Sequence, residues 1–191
     1  MTTSKTTHPA LYRVYQFFVA LKASLPTWAG GVKGGLSAED ETLVKSILPA
    51  TAQQELFRRM PPTDQLHAIA VARTLQQAGH DDPALMQAAL LHDVAKSLGQ
   101  PIIHRVLIVL LEAFWPTGLE RVSAPGAAGW WRRPFVIHAR HPAIAAEWAE
   151  EAGCEPLVVS LIARHQDELA PDSTETEEKL LAALQWADNL N

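Results

Sequence analysis

Histidine and aspartate residues recur along this chain at positions where the sequence predicts apolar helix faces. Residues three, four or seven apart share one face of an α-helix. His141, for example, is predicted to share a face with Ile144 and Trp148. The residues placed on apolar faces in this way are His67, His92, Asp93, His141, His165 and Asp188. Four histidines and two aspartates from five predicted helices are therefore expected to point toward the core.

Residues of these types suggest a metal site. A buried carboxylate without a partner costs several kcal/mol, so two of them among imidazoles favour a shared cation. Imidazole and carboxylate suit Fe, Mn, Ni, Co or Zn better than Ca. Taken singly, a histidine on an apolar face is more often a hydrogen-bonded core residue, and Asp188 is compatible with an ion pair to Arg164. The joint placement of all six favours metal binding.

The elements that must position these residues are predicted to be helices. Capping residues and prolines mark where several of these helices begin or end. The signals are a Ser37–Asp40 capping box, Asp82 followed by Pro83, and Gly79 after a helix end. No alternating strand pattern of useful length occurs. The sequence therefore predicts an all-α protein. The predicted helices cover residues 11–25, 64–78, 83–94, 101–115, 142–153, 156–165 and 179–190, with loops at 26–35 and 116–134.

Composition excludes several classes of function. The 191 residues are 48% hydrophobic and 19% charged, which argues against a disordered or fibrous chain. The net charge of −5 disfavours general nucleic-acid binding and weakens a membrane role. No membrane span or signal peptide is predicted. The single cysteine, Cys154, excludes an intramolecular disulfide, so a cytoplasmic location is expected.

The segment Leu-Leu-His-Asp-Val-Ala-Lys at residues 90–96 resembles the signature of the HD-domain superfamily of metal-dependent phosphohydrolases. The superfamily's order of a histidine, a His-Asp pair and a distal aspartate matches His67, His92, Asp93 and Asp188. The segment His-Pro-Ala-Ile-Ala-Ala-Glu at 141–147 is similar to a helix of the binuclear subset, and His165 occupies the place of its next ligand. The six-residue order resembles YqeK-type diadenosine tetraphosphate hydrolases and, more distantly, HD-GYP phosphodiesterases.

This resemblance implies an HD-domain helical bundle that holds two divalent transition-metal ions. His67, His92, Asp93 and Asp188 would hold the first ion. Asp93 would bridge to the second ion, held also by His141 and His165. A water between two cations has a lowered pKa and attacks phosphorus at neutral pH. The resemblance therefore implies a metal-dependent phosphohydrolase, with Asp93 as a catalytic residue.

Three basic residues are candidates for phosphate binding. Lys96 lies about one turn beyond Asp93 and resembles the superfamily's phosphate-contacting lysine. Lys96 is also the expected catalytic partner of Asp93. The alternative is that Lys96 is a solvated surface lysine. Arg140 and Arg164 flank predicted ligand histidines, with surface salt bridges as their alternative. Two further histidines, His138 and His104, compete as ligands.

The resemblance covers about residues 64–191, and residues 1–63 are expected to form an N-terminal helical extension packed on the core. Residues 101–137 replace a short connection with an inserted helix and a Trp-rich loop. This insertion is interpreted as a small second core, a base-stacking lid, a partner surface or an interfacial membrane patch. The second diagnostic motif of HD-GYP proteins and the Gly-rich segment of the YqeK type are absent.

The expected substrate is a nucleotide or similar small phosphoester or phosphoanhydride. A non-catalytic HD module that binds a metal or nucleotide for regulation is the alternative. A homodimer is compatible with the sequence.

Overall fold

The structure, a computed structural model, describes residues 35–98, 102–124, 129–169 and 175–191. These residues form nine α-helices and two short 3-10 helices, with no strand among them, so the predicted all-α class is confirmed. The α-helices are α1 (Ala38–Ile47), α2 (Thr51–Arg58), α3 (Pro62–Gln77), α4 (Pro83–Leu91), α5 (Ile102–Phe114), α6 (Pro116–Ser123), α7 (Arg133–Glu151), α8 (Pro156–Arg164) and α9 (Thr176–Leu190). The 3-10 helices span Val94–Leu98 and Trp130–Arg132.

The described residues divide into two compact units. The core unit comprises residues 35–98 together with the described part of 139–191, and the insertion unit comprises the described part of 102–138. Helix α7 contributes to both units. The predicted boundary between an extension and the HD domain at residues 63 and 64 stays a prediction, since residues 1–34 lie outside the described ranges. The predicted helix at 11–25 and most of the predicted loop at 26–35 lie outside them as well.

Helix α4 is the centre of the core unit. Its residues Leu85, Leu90 and Leu91 are fully buried, and α3, α8 and α9 all pack against it. A helix that is apolar on every side needs neighbours on every side, which explains its central place. Helix α9 also packs against α3 and α8.

Local capping explains where several helices begin and end. The Ser37 hydroxyl accepts a hydrogen bond from the Asp40 N–H, and the Asp40 carboxylate accepts from the Ser37 N–H, which confirms the predicted capping box. Asp82 caps α4 by accepting from two backbone N–H groups, and Pro83 follows it. Gly79 has φ 83°, the left-handed conformation that terminates α3.

The insertion unit has a small core of its own. Ile108, Leu119 and Phe135 are buried together, and Leu111 and Val122 pack against them. The Arg132 guanidinium donates to the backbone carbonyls of Arg121, Val122 and Ala124, so it ties the second 3-10 helix to the end of α6.

Two element predictions in this region are wrong. The predicted loop at 116–134 contains α6, which begins at Pro116 and buries Leu119. Helix α7 begins at Arg133 rather than at Pro142, because Phe135 and Ile137 supply a buried face upstream of the proline. Pro142 has no N–H, so the helix continues past it without the bond that this residue would donate. No helix among the described residues is long and apolar enough to cross a membrane.

Candidate metal centre

Helices α3, α7 and α9 and the C-terminal ends of α4 and α8 bring six predicted ligand residues to one place in the core unit. His67 lies on α3, His141 on α7 and Asp188 on α9. His92 caps α4, and its N–H donates to the Ala88 carbonyl at 2.8 Å. Helix α4 ends there, and the chain turns into the 3-10 helix Val94–Leu98, which leaves Asp93 at the bend. His165 caps α8 in the same way.

The outer group consists of His67, His92 and Asp188. Their ligand atoms lie close enough together to hold one metal ion. Asp188 Oδ1 is 2.9 Å from His67 Nε2 and 3.4 Å from His92 Nε2. Two ligand atoms that are each ~2.1 Å from one ion lie about 3.0–3.5 Å apart, which matches these distances. His67 and Asp188 are half-buried, whereas His92 is fully buried.

The inner group consists of Asp93, His141 and His165, and it is buried throughout. Asp93 Oδ1 is 3.4 Å from His141 Nε2 and 3.9 Å from His165 Nε2. The other oxygen, Oδ2, faces the outer group, 3.6 Å from His92 Nε2 and 3.9 Å from His67 Nε2. The two oxygens of one carboxylate therefore address two separate groups, which is the placement that a bridging ligand requires.

Backbone hydrogen bonds orient two of the imidazoles. His92 Nδ1 is 3.0 Å from the Ala89 carbonyl, and His165 Nδ1 is 2.7 Å from the Ile162 carbonyl. A carbonyl only accepts, so each Nδ1 must be the protonated nitrogen, and in the neutral ring Nε2 keeps its lone pair. Hydrogen bonding of this kind is typical of metal-ligating histidines. Both Nε2 atoms are buried without a hydrogen-bond partner in the described structure.

The protonation of the cluster supports the same conclusion. Burial and the nearby charge of His92 lower the pKa of His165 to about 3, so this imidazole is neutral. Its Nε2 lone pair thus faces Asp93, whose pKa stays well below its usual value despite burial because Lys96 and His92 lie beside it. Two acceptors that face each other in a buried site favour a donor or a cation between them. The donor set therefore fits a metal ion.

Neighbouring charges also shift the pKa values of the outer group. Burial opposes protonation of His92, but the carboxylates of Asp93 and Asp188 raise its pKa to about 9. Burial also opposes ionisation of Asp188, yet the hydrogen bond from His67 and the nearby charge of His92 lower the pKa of that carboxyl. His92 would hold a metal ion only as the neutral imidazole, so it would release a proton when it did so.

Lys96 lies beside the predicted ligands in the candidate metal centre. Its Nζ donates to Asp93 Oδ2 at 2.6 Å, one turn along the 3-10 helix. Burial lowers the pKa of this ammonium group, but Asp93, Asp188 and Asp64 raise it above its ordinary value. Asp64, a buried carboxylate that the sequence analysis did not single out, lies three residues before His67 on α3. That spacing places Asp64 and His67 on one face and was the available signal.

The two candidate arginines are placed differently from Lys96. Arg164 forms ion pairs with Glu177, at 2.8 Å, and with Glu178, and so it joins the end of α8 to the start of α9. Asp188, for which Arg164 was an alternative partner, contacts His67 and His92 instead. Arg140 is exposed, directly before the buried His141.

The two competing histidines lie in the insertion unit. His138 Nε2 is 3.0 Å from Glu112 Oε1, and the His104 ring stacks edge-on against Phe135. Neither belongs to the two ligand groups found among the described residues, whereas His141 does. His141, the predicted ligand, therefore lies in the cluster, although Pro142 is inside α7 and does not start a helix.

Comparisons with protein family models, with curated proteins and with solved structures gave no match for this chain.

Proposed function

We propose that this protein is a metal-dependent phosphohydrolase that acts on a nucleotide or a similar small phosphoester or phosphoanhydride. The observation that supports the proposal most directly is Asp93, whose two carboxylate oxygens face two separate groups of ligand atoms. The motif resemblance to binuclear HD-domain enzymes favours the same reaction class. In this proposal the chain holds two divalent ions of Fe, Mn, Ni, Co or Zn.

The chain's own residues divide the work of the proposed site. His67, His92 and Asp188 would hold one ion, and His141 and His165 the other, with Asp93 shared between them. When bound, such ions supply Lewis acidity toward phosphoryl oxygens and lower the pKa of water. The half-buried His67 and Asp188 leave the outer group open to solvent, so a substrate approaches from that side. The buried inner group excludes water from the other side.

Lys96 gives the proposed site its preference for phosphate. The pKa of its ammonium group is raised, so Lys96 stays charged at neutral pH, and about a quarter of its side chain is exposed. A compact, flexible positive charge suits a phosphate oxygen. The ion pairs of Arg164 with Glu177 and Glu178 make it a weaker candidate for this role than Lys96.

A phosphatase screen on metal-loaded protein tests the proposal. The purified chain is loaded separately with each candidate metal, its metal content is measured, and phosphate release is followed with aryl phosphomonoesters, aryl phosphodiesters and a panel of nucleotides. We expect turnover of at least one phosphorylated class and none by the chelated protein. Metal-bound protein that is inert toward every phosphorylated class would contradict the enzyme and favour the regulatory binding module.

Lys96→Ala provides a sharper test of the phosphate preference. Loss of one positioned charge in such a site costs about 100-fold in turnover. We expect that loss with the metal content unchanged, and a partial recovery in Lys96→Arg. Lys45→Ala, which removes an exposed lysine of α1, is the matched control and should behave like the parent. If Lys96→Ala turns over substrate as fast as Lys45→Ala, the assignment of Lys96 is wrong.

A further inference from the structure

The charges of this chain are divided unevenly between its segments. Residues 1–34 and 99–138 contain eight of the 16 lysines and arginines but two of the 21 aspartates and glutamates. These segments therefore have a formal charge of +6 within a chain of −5, and residues 99–138 contribute +2 of it. Ten of the 13 aromatic residues lie in the same segments. The remaining residues, which contain the candidate metal centre, are strongly acidic.

Apolar side chains of the insertion unit are exposed along one face of α5. Leu107, Leu110 and Phe114 are spaced three and four residues apart, so they form one stripe. Phe114 is 69% exposed, and the adjacent Trp115 is 56% exposed. The buried core of this unit lies on another face of the helix, where Ile108 packs with Leu119 and Phe135. The core therefore does not cover the stripe.

A further aromatic residue is exposed beside basic groups. Trp131 is 50% exposed in the second 3-10 helix, and Arg133 and Arg121 are exposed as well. The Arg132 guanidinium holds this helix at the end of α6 through three backbone carbonyls. A unit that exposes tryptophan, phenylalanine and arginine has the composition that favours the interface between lipid headgroups and acyl chains.

We propose that the insertion unit docks on the surface of an anionic lipid bilayer, as a peripheral contact. The stripe of Leu107, Leu110 and Phe114, with Trp115 and Trp131, would enter the interfacial layer. Arg121 and Arg133 would meet lipid phosphates. Positive charge attracts the unit to anionic headgroups, and the apolar side chains then supply affinity that is independent of salt. A nucleic acid would use the charge but leaves the aliphatic stripe without a role.

Vesicle flotation of the full-length chain tests the proposal, and it does not depend on any catalytic activity. We expect binding to phosphatidylcholine vesicles that contain phosphatidylglycerol and weak binding to phosphatidylcholine alone. The binding should weaken as sodium chloride is added, because salt screens the contact with headgroups. Absence of binding to the anionic vesicles would overturn the proposal, as would stronger binding of the parent to a duplex oligonucleotide.

Matched variants distinguish a specific lipid contact from nonspecific adsorption to vesicles. Trp131→Ser and Phe114→Ser should each weaken binding to anionic vesicles about tenfold, since each removes a large apolar side chain from the contact. Trp186→Ser is the control, because Trp186 is 45% exposed in the core unit. Arg133→Glu should weaken binding at least about fivefold, and Lys179→Glu in the core unit should not.

Circular dichroism and thermal unfolding of the variants establish that they are folded, and light scattering gives their oligomeric state. Equal vesicle binding by Trp131→Ser, Phe114→Ser and Trp186→Ser would overturn the proposal. A parent that forms a dimer through Trp131 and does not float with vesicles would overturn it too and assign this surface to a second copy of the chain.

Discussion

The two ligand groups of the candidate metal centre differ in burial although Asp93 faces both of them. In the outer group, His67 and Asp188 are half-buried, and His92 alone is fully enclosed. In the inner group, Asp93, His141 and His165 are all buried. One group therefore meets solvent, whereas the other is part of the packed interior.

This difference indicates what each group contributes. In the proposed function, the outer group would meet the substrate, because His67 and Asp188 are partly exposed to solvent. Side chains of the inner group are held by the core, and removing one leaves a cavity or an uncompensated charge. The two groups should thus respond alike to mutation in metal stoichiometry but differently in stability.

Asp93→Asn should have the largest effect, because it removes the carboxylate that faces both groups. The variant keeps the size of the side chain, so the helical fold should persist although Lys96 loses its partner. We expect loss of both ions and of the proposed phosphohydrolase activity to background. Elemental analysis of the protein after metal loading and dialysis, alongside far-ultraviolet circular dichroism, measures the outcome.

Asp167→Asn is the control for that experiment, since Asp167 is an exposed aspartate near the end of α8. It should bind metal as the parent does. Unchanged metal content in Asp93→Asn, or in the more severe Asp93→Ala, would show that the assignment of this carboxylate as a ligand is wrong.

His141→Ala and His67→Ala form the next pair, with one substitution in each group. Each should reduce the metal content of the saturated protein by about half. In the presence of chelator, His141→Ala should lower the free energy of unfolding by about 2–4 kcal/mol, the range for truncating a large buried side chain. His67→Ala should cost less than about 1 kcal/mol, because His67 is partly exposed.

Urea unfolding with chelator and elemental analysis without it measure the two effects separately. If both variants lose the same free energy of unfolding, the difference in burial between the two groups does not affect stability. Should both keep the full metal content, the division into two groups is wrong.

The sequence predicted the members of the site better than their geometry. Helical periodicity and the His-Asp motif selected six residues, and all six lie in the two ligand groups. Periodicity assigns a residue to a face, but it does not state which neighbour it meets. The packing of α4, α8 and α9 determines which ligand group each oxygen of Asp93 faces. It also determines which residues form ion pairs with Arg164. Neither could be read from one sequence.

The insertion shows a different limit of sequence analysis. Glycine, proline and tryptophan in residues 116–134 predicted a loop, yet α6 forms because its first residue is Pro116 and it buries Leu119 against α5 and α7. The net charge of −5 also argued against a membrane role. That single number averages a basic segment with an acidic remainder, so it does not describe the charge of the segment itself. The partition of the chain into compact units is what gives the local charge its meaning.

Asp40→Asn, which lies outside both ligand groups, should have the smallest effect on metal binding and serves as the reference for stability. The Asp40 carboxylate accepts from the Ser37 N–H at 2.9 Å and from its hydroxyl at 2.8 Å, and it pairs with Arg73 at 2.8 Å. Burial raises the pKa of Asp40, but the bonds from Ser37 and the charge of Arg73 hold it below its usual 3.8. We expect the variant to lose about 1 kcal/mol, the usual cost of a weakened cap.

The pH dependence of that loss has a definite sign. Because the folded pKa of Asp40 is lower than the unfolded one, its contribution is complete above the ordinary carboxyl pKa and disappears as the pH falls through the folded pKa. Urea unfolding of parent and variant in chelator should therefore show a constant gap near neutral pH that closes in acid. The stabilisation gained on adding metal should be the same for both. A gap that persists in strong acid would show that packing, not the ionised cap, explains the loss, and a reduced metal gain would show that α1 influences the ligand groups.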